Sequence, residues 1–249
     1  MPETKTAIVV AAGQGLGEAC TRELAARGYA LVLMTRSDAA EKLAGELGGT
    51  GIAGDLAKAE DLERLVEVAM EKHGRIDALF NNTGHVTGGG IPARGSAYDP
   101  DAGGDLLEVA DESWYSGLDM ILMNVIRAAR LVTPIMERQG GGAILNMSSF
   151  AQAEPSPAFP VGTCLRMALA GFTKLYADKY APKGIRMNNI LPGFIENYGM
   201  SDELRRQVPM ARQGTLAEVA KTAAFLLSAD SGYITGQSIL LDGGLNRGL

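Results

Sequence analysis

The chain has 249 residues, 46% hydrophobic and 21% charged, the balance of an ordinary soluble domain long enough to bury one substantial core. A net charge of −6 with no Lys/Arg run excludes a nucleic-acid backbone or an anionic membrane as an expected partner. No apolar run reaches membrane-spanning length, and the two histidines and two cysteines are too scattered to form a metal-ligand cluster. The start, Met1-Pro2-Glu3-Thr4-Lys5, lacks the basic-then-apolar pattern of a secretory signal. Cys20 and Cys164 fall inside predicted helices, so a reducing, cytoplasmic setting is expected.

Taken in chain order, short apolar runs alternate with longer amphipathic stretches. Ala7-Ile8-Val9-Val10 predicts a strand and Leu16 to Arg27 a helix. Ala30-Leu31-Val32-Leu33-Met34 predicts the second strand, Ala39 to Leu47 a helix, and Gly51-Ile52-Ala53 a short strand. A helix over Ala59 to His73 precedes the strand Ile76-Asp77-Ala78-Leu79-Phe80; His73, just before Gly74, reads as part of the helix cap. Val86 to Gly104 breaks the rhythm: it is Gly/Pro-rich, contains Gly88-Gly89-Gly90, and is expected to be a flexible lid-like loop. There follow a long helix over Asp111 to Arg138, the strand Ala143-Ile144-Leu145-Asn146-Met147, and a helix over Pro160 to Tyr180. On that last helix Cys164 and Met167 read as core or interface. A strand over Ile185 to Leu191, a helix over Leu216 to Ala229 and the strand Ser238-Ile239-Leu240-Leu241 complete the order. Seven continuous apolar strands separated by helices predict one α/β domain over residues 1–249, a Rossmann-type doubly wound parallel sheet with helices on both faces.

Ala11-Ala12-Gly13-Gln14-Gly15-Leu16-Gly17 joins the first strand to the first helix. Glycines at that junction let the backbone turn tightly and bring its N–H groups and the helix N-terminus against a pyrophosphate. The second strand ends at Thr35-Arg36-Ser37, where a dinucleotide site reads the adenosine ribose. An Asp there would repel a 2′-phosphate; Arg36 instead offers a cation suited to it, so NADP(H) is expected ahead of NAD(H). The other reading of Arg36 is a solvated surface side chain.

With those residues in hand, the chain resembles the short-chain dehydrogenase/reductase family over nearly its whole length. The glycine loop is similar to the family's T-G-x-x-x-G-x-G, with Val10 and Ala11 in place of the Thr and first Gly. Gly54-Asp55-Leu56 resembles the turn whose Asp meets the adenine, and Asn81-Asn82-Thr83-Gly84 resembles the N-N-A-G that lines the cofactor. Gly184-Ile185-Arg186-Met187-Asn188 with Pro192, Gly193 and Ile195 resembles the segment that holds the nicotinamide amide, Asn197 standing where a Thr is common. Tyr233-Ile234-Thr235-Gly236-Gln237 and Leu241-Asp242-Gly243-Gly244 resemble the family's C-terminal signature. The resemblance also implies a homotetramer built through the helices over Asp111 to Arg138 and Pro160 to Tyr180.

The same resemblance exposes what is missing. In the family a Tyr protonates the alkoxide, a Lys four residues later lowers the Tyr pKa and holds the ribose, a Ser bonds the substrate oxygen, and a helix Asn orders water. Here the Ser is Ser149, the Tyr position is Gly162 and the Lys position is Arg166, a register set by Gly171-Phe172-Thr173-Lys174. The Asn position is Ile121, with Asn124 one helical turn on as a partial substitute. The family's enoyl reductases place their Tyr seven before the Lys, which is Phe159 here. Tyr176 and Tyr180 have lysines three residues on but sit out of register. His85, at the mouth of the cleft, titrates in the useful range and is a candidate proton donor, or else a solvated loop His. Tyr98 and Tyr198 can fold over the site, although packing is their commoner role. The candidate catalytic set is Ser149, Arg166 and His85, acting on a small-molecule substrate, and Arg166 can also bind the cofactor by donating to its ribose hydroxyls. Three functions stay open: an NADP(H)-dependent reductase with an unusual proton source, a non-redox enzyme on the same scaffold, and a catalytically silent NADP(H)-binding subunit. Halohydrin dehalogenases, the model for the second, share an Arg like Arg166 but have lost the glycine loop retained here.

Overall fold

The structure, a computed structural model, describes residues 4–83, 106–155, 157, 159–197 and 199–248. Strands form where the apolar runs lie: β1 (Thr6–Val10), β2 (Ala30–Thr35), β3 (Thr50–Ala53), β4 (Ala78–Asn81), β5 (Gly142–Met147), β6 (Ile185–Pro192) and β7 (Ser238–Leu241). They make one parallel sheet in the order β3-β2-β1-β4-β5-β6-β7. Strand order therefore reverses between β1 and β4, and the crevice outside their carboxyl ends is where a doubly wound sheet takes its ligand.

Both faces of the central strands are buried, which is why β1, β2 and β4 read as apolar runs rather than alternating, while the edge strands β3 and β7 are partly exposed. Ala7, Val9, Leu31, Leu33, Phe80 and Leu145 pack one face against helices α1 (Gly15–Ala26), α2 (Ala39–Leu47) and α8 (Leu216–Leu227). Ile8, Val10, Val32, Met34, Leu79 and Ile144 pack the other face against α3 (Ala59–His73), α5 (Asn124–Arg138) and α6 (Pro160–Tyr180). Local signals set several bounds where the sequence puts them. Gly48 (φ 70°) and Gly74 (φ 70°) close α2 and α3 in the left-handed conformation, with His73 in the last turn of α3. Pro160 opens α6 at a first-turn position whose missing N–H costs nothing.

Three departures from the expected elements have physical causes. The helix expected over Asp111 to Arg138 is helical throughout but not uniform: α4 (Asp111–Gly117) and α5 flank a π-helical stretch, Leu118–Met123. There the Asn124 N–H reaches back five residues to the Asp119 carbonyl, while the Asn124 Nδ2 takes the Met120 carbonyl at 2.9 Å. A short helix, α7 (Asp202–Gln207), was not expected; Ser201 Oγ caps it by accepting from the Leu204 N–H at 3.2 Å. Helix α8 stops at Leu227 because Ser228 Oγ caps a new turn, accepting from the Asp230 N–H at 3.1 Å.

At the carboxyl ends of the central strands the buried residues turn polar. Asn81, Asn146, Asn189 and Ser238 lie side by side in register on β4 to β7. Asn81 Nδ2 donates to Asn146 Oδ1 (2.9 Å), Asn146 Nδ2 to Asn189 Oδ1 (3.0 Å), and Asn189 Nδ2 to Ser238 Oγ (3.1 Å). Thr173 Oγ1 of α6 donates to Asn189 Oδ1 at 3.0 Å. This ladder holds the strand register just below the segments that carry Asn82, Ser149 and Pro192, because a one-residue slip would orphan every buried amide in it. Among the described residues, no helix is long and apolar enough to cross a membrane.

Candidate functional site

The loop after β1 begins with a residue that resists its own conformation. Ala11 has φ 57°, a left-handed value uncommon outside glycine, and is held there by its N–H donating to the Met34 carbonyl of β2 at 2.8 Å. The next three glycines are sterically required. A Cβ on Gly13 would lie 2.7 Å from the Ala39 Cβ, and one on Gly17 would lie 2.1 Å from the Ala11 carbonyl and 2.6 Å from Asn82 Nδ2. Gly15 has φ 54° and faces Asn197, whose Nδ2 is 3.3 Å from the Cβ position. The loop is thus pressed flat, with Asn82 Nδ2 tying it to the end of β4 by a 3.0 Å bond to the Ala11 carbonyl. Helix α1 starts at Gly15, and its N-cap, Gln14, makes no side-chain cap, leaving first-turn N–H groups to face the crevice; Leu16 packs down on the core. This cradle fits a pyrophosphate: backbone donors and a helix N-terminus, with the Asn197 amide beside Gly15.

The turn after β2 is equally ordered. Thr35 Oγ1 donates to the Ser37 carbonyl (2.7 Å) and accepts from the Ala40 N–H (3.1 Å), which leaves Arg36 exposed at the tip of the turn. Ser37 Oγ accepts from the Ala39 N–H at 3.4 Å. Asp38, the next acid along, is engaged by Lys42 at 2.7 Å. After β3, Asp55 Oδ1 accepts from the Ala57 N–H (3.0 Å) and its own N–H donates to Asp61 (2.8 Å), while Leu56 is buried beneath. Arg127 of α5 reaches this turn through the Ala57 carbonyl.

At the other end, Thr83 is buried just past β4. Ser149 follows β5, half-buried, and its Oγ accepts from the Ala151 N–H at 3.3 Å, capping the turn Phe150–Gln152. That turn packs against α6, the helix of Gly162 and Arg166. Phe150 in turn packs on Phe194 with ring centroids 5.5 Å apart, which joins the segments of Ser149 and Gly193. Pro192 ends β6; Gly193 has no room for a side chain, since a Cβ would lie 2.9 Å from Asp242. Ile195 is buried and bridged to Gly214, and Gln213 Nε2 donates to its carbonyl at 2.9 Å.

The structure brings the glycine loop, Thr35 to Ser37, Asp55, Asn82, Ser149 and Pro192 to one edge of the sheet. Gly84, His85, the Val86 to Gly104 loop, Tyr98 and Tyr198 lie outside the described residues. Arg166 is half-buried, and its Nη1 lies 3.7 Å from where a Gly162 Cβ would be. Ile121 is buried against Val125 and Leu169, sealing α5 to α6 where the resemblance would put an Asn. Asn124, one turn on, has its Nδ2 donating to the Met120 carbonyl and its Oδ1 buried without a hydrogen-bond partner among the described residues. Tyr176 faces away from the cleft, its hydroxyl 2.6 Å from Thr133 Oγ1, and burial pushes it up to about 12. Cys164 and Met167 are exposed, which excludes the core reading for both. The asparagine ladder and the placement of Asn197 over Gly15 carried no sequence signal of their own, because each joins residues on separate strands and loops.

A protein-family model described as enoyl-(acyl carrier protein) reductase matches residues 10–246. The Homo sapiens protein dehydrogenase/reductase SDR family member 4 is 33% identical over 255 residues, spanning 96% of this chain and 87% of that protein. The 3-oxoacyl-(acyl-carrier-protein) reductase FabG of Staphylococcus aureus (strain N315) is 31% identical over 259 residues, spanning 98% of this chain and 99% of that one.

Proposed function

The chain belongs to the short-chain dehydrogenase/reductase family of oxidoreductases, and from that membership we propose an NADP(H)-dependent enzyme acting on a small carbonyl or alcohol substrate without a catalytic tyrosine. The observation that carries this reading is the glycine cradle, in which Gly13 and Gly17 admit no side chain and the first turn of α1 is uncapped by Gln14. When bound, the dinucleotide supplies or accepts a hydride. Asn82, Asp55, Thr35 and the Pro192 to Ile195 segment hold it along the sheet edge, with Arg36 for the 2′-phosphate. Ser149 offers its hydroxyl to the substrate oxygen, and Arg166 contributes positive field but no transferable proton, since a guanidinium stays charged. The proton comes from water or from a loop residue such as His85. A tuned general acid contributes about 10²–10⁴-fold, so turnover of ordinary ketones is slow. The two free thiols, Cys20 and Cys164, suit the cytoplasm, where NADPH is available.

A second reading, a silent NADP(H)-binding subunit, is favoured by Ile121, Gly162 and Arg166 standing at three of the four catalytic positions. Nicotinamide fluorescence titrated with NADPH, followed by a carbonyl panel on wild type and the double variant Gly162→Tyr/Arg166→Lys, separates the two. A tyrosine has an entry at Gly162, because among the described side chains only Arg166 comes within 4 Å of its Cβ position. We expect NADPH binding, weak wild-type reduction and a gain of about 10²–10⁴-fold in the double variant. Absence of NADPH binding overturns the cofactor assignment. Activity in the double variant alone selects the silent subunit.

A further inference from the structure

Gly162 and Arg166 lie one turn apart on the same face of α6, the helix that packs on the turn after Ser149. At Gly162 the missing side chain leaves room bordered by a cation. Among the described side chains, only Arg166 Nη1 comes within 4 Å of the Cβ position, and its 3.7 Å is an ordinary contact, so the guanidinium edges the space without filling it. It does so at the base, where a tyrosine side chain would start, not at the far end where a phenol oxygen would meet the substrate oxygen. The Arg166 Nε is buried. A guanidinium presents five donors from one plane, enough to take a carboxylate through two parallel N–H···O bonds beside the other groups it bonds.

We propose that the space over Gly162 is a subsite for a carboxylate carried by the substrate, held by Arg166, so that the substrate is an oxo acid or its hydroxy acid and not a neutral ketone. The proposal rests on the nicotinamide reading above. In the family a tyrosine side chain reaches from this position to the reacting centre, so a carboxylate held at its base sits several bonds from the carbonyl. The Phe150–Phe194 pair suits an apolar chain joining the two.

The test is calorimetric and needs no turnover. Wild-type protein is first titrated with NADP+, then, saturated with it, with straight-chain oxo acids from the α- to the δ-oxo acid, each beside its uncharged primary amide. We expect at least one spacing at which the acid binds tighter than the amide by about tenfold or more, the range of a charge-assisted contact. Arg166→Gln should equalise acid and amide, and Gly162→Tyr, which keeps the cation but occupies the space, should also remove the preference. Acid and amide binding alike at every spacing, or neither binding, overturns the proposal, as does a preference that survives Arg166→Gln. Should Arg166→Gln fail to fold, a preference that survives Gly162→Tyr overturns it equally. NADP+ binding without an acid preference overturns the carboxylate subsite alone; no NADP+ binding overturns the nicotinamide reading together with it.

Discussion

Ala11 shows most directly how a single residue is made to serve the site. A left-handed alanine costs roughly 1–2 kcal/mol, of which a glycine would return part to the entropy of the unfolded chain. Ala11→Gly should therefore stabilise the protein by about 0.5–1 kcal/mol in denaturant unfolding, with the Met34 carbonyl still accepting from the residue 11 N–H. A loss of stability would mean that the Ala11 methyl packs usefully and that its φ is not strained. Arg36 poses the complementary question. Its turn is fixed by Thr35 Oγ1, its side chain is exposed, and the nearest following acid is paired with Lys42. Arg36→Ala should weaken NADPH binding by on the order of 1.5–3 kcal/mol while leaving NADH unchanged. Equal losses for both cofactors, or none, would show that Arg36 does not read the 2′-phosphate.

Among the elements, α8 carries the clearest electrostatic device. Thr215 Oγ1 accepts from the Glu218 N–H at 3.1 Å, and Glu218 accepts from the Thr215 N–H at 2.8 Å, closing a capping box. Arg212 adds bonds of 2.9 and 2.7 Å to the same carboxylate. The Arg212 bond first, and then the Thr215 N–H, bring Glu218 down from 4.5 to about 2. A carboxylate held below its unfolded value favours the folded state above 4.5, and that contribution fades as the pH falls towards 2. Thermal melts of wild type and Glu218→Gln should accordingly differ at neutral pH and converge across that acidic window. A gap that persisted at the acid end would place the effect in packing and not in charge. The cap matters to the candidate site because Glu196, just past Ile195, accepts from the Leu216 N–H at 2.7 Å, pinning the end of the Pro192 to Ile195 segment to the start of α8.

At the scale of the molecule, α6 presents an apolar stripe to solvent. Cys164, Met167, Ala168, Gly171 and Leu175 recur at helical spacing on its exposed side, with Leu175 69% and Met167 50% exposed. Small and apolar residues in that pattern suit close approach of a second copy, which is the basis on which we propose a homotetramer. Light scattering of the wild type should give a mass well above 26.2 kDa, and Leu175→Glu should lower it. A monomeric wild type would overturn the assembly, leaving the stripe merely a solvated apolar face.

The sequence by itself determined the layered order of the fold and the chain positions of the site segments. Buried parallel strands read as unbroken apolar runs, and glycine or proline at a helix end acts within a turn; α2, α3 and α6 therefore fall where Gly48, Gly74 and Pro160 put them. The glycine loop was legible for the same reason, since its chemistry is contiguous. Only the tertiary structure decided what depends on residues remote in sequence. β2 holds Ala11 in a left-handed turn, and sheet register aligns Asn81, Asn146 and Asn189 into one ladder. Beside the π-helical stretch, the Asn124 Nδ2 bonds the Met120 carbonyl of its own helix, a contact that spacing alone does not record. The approach of Arg166 to the space over Gly162 is of the same kind. Helical spacing allows it, but the rotamer that brings Nη1 there is set by what packs around α6, and no local pattern in the sequence records that.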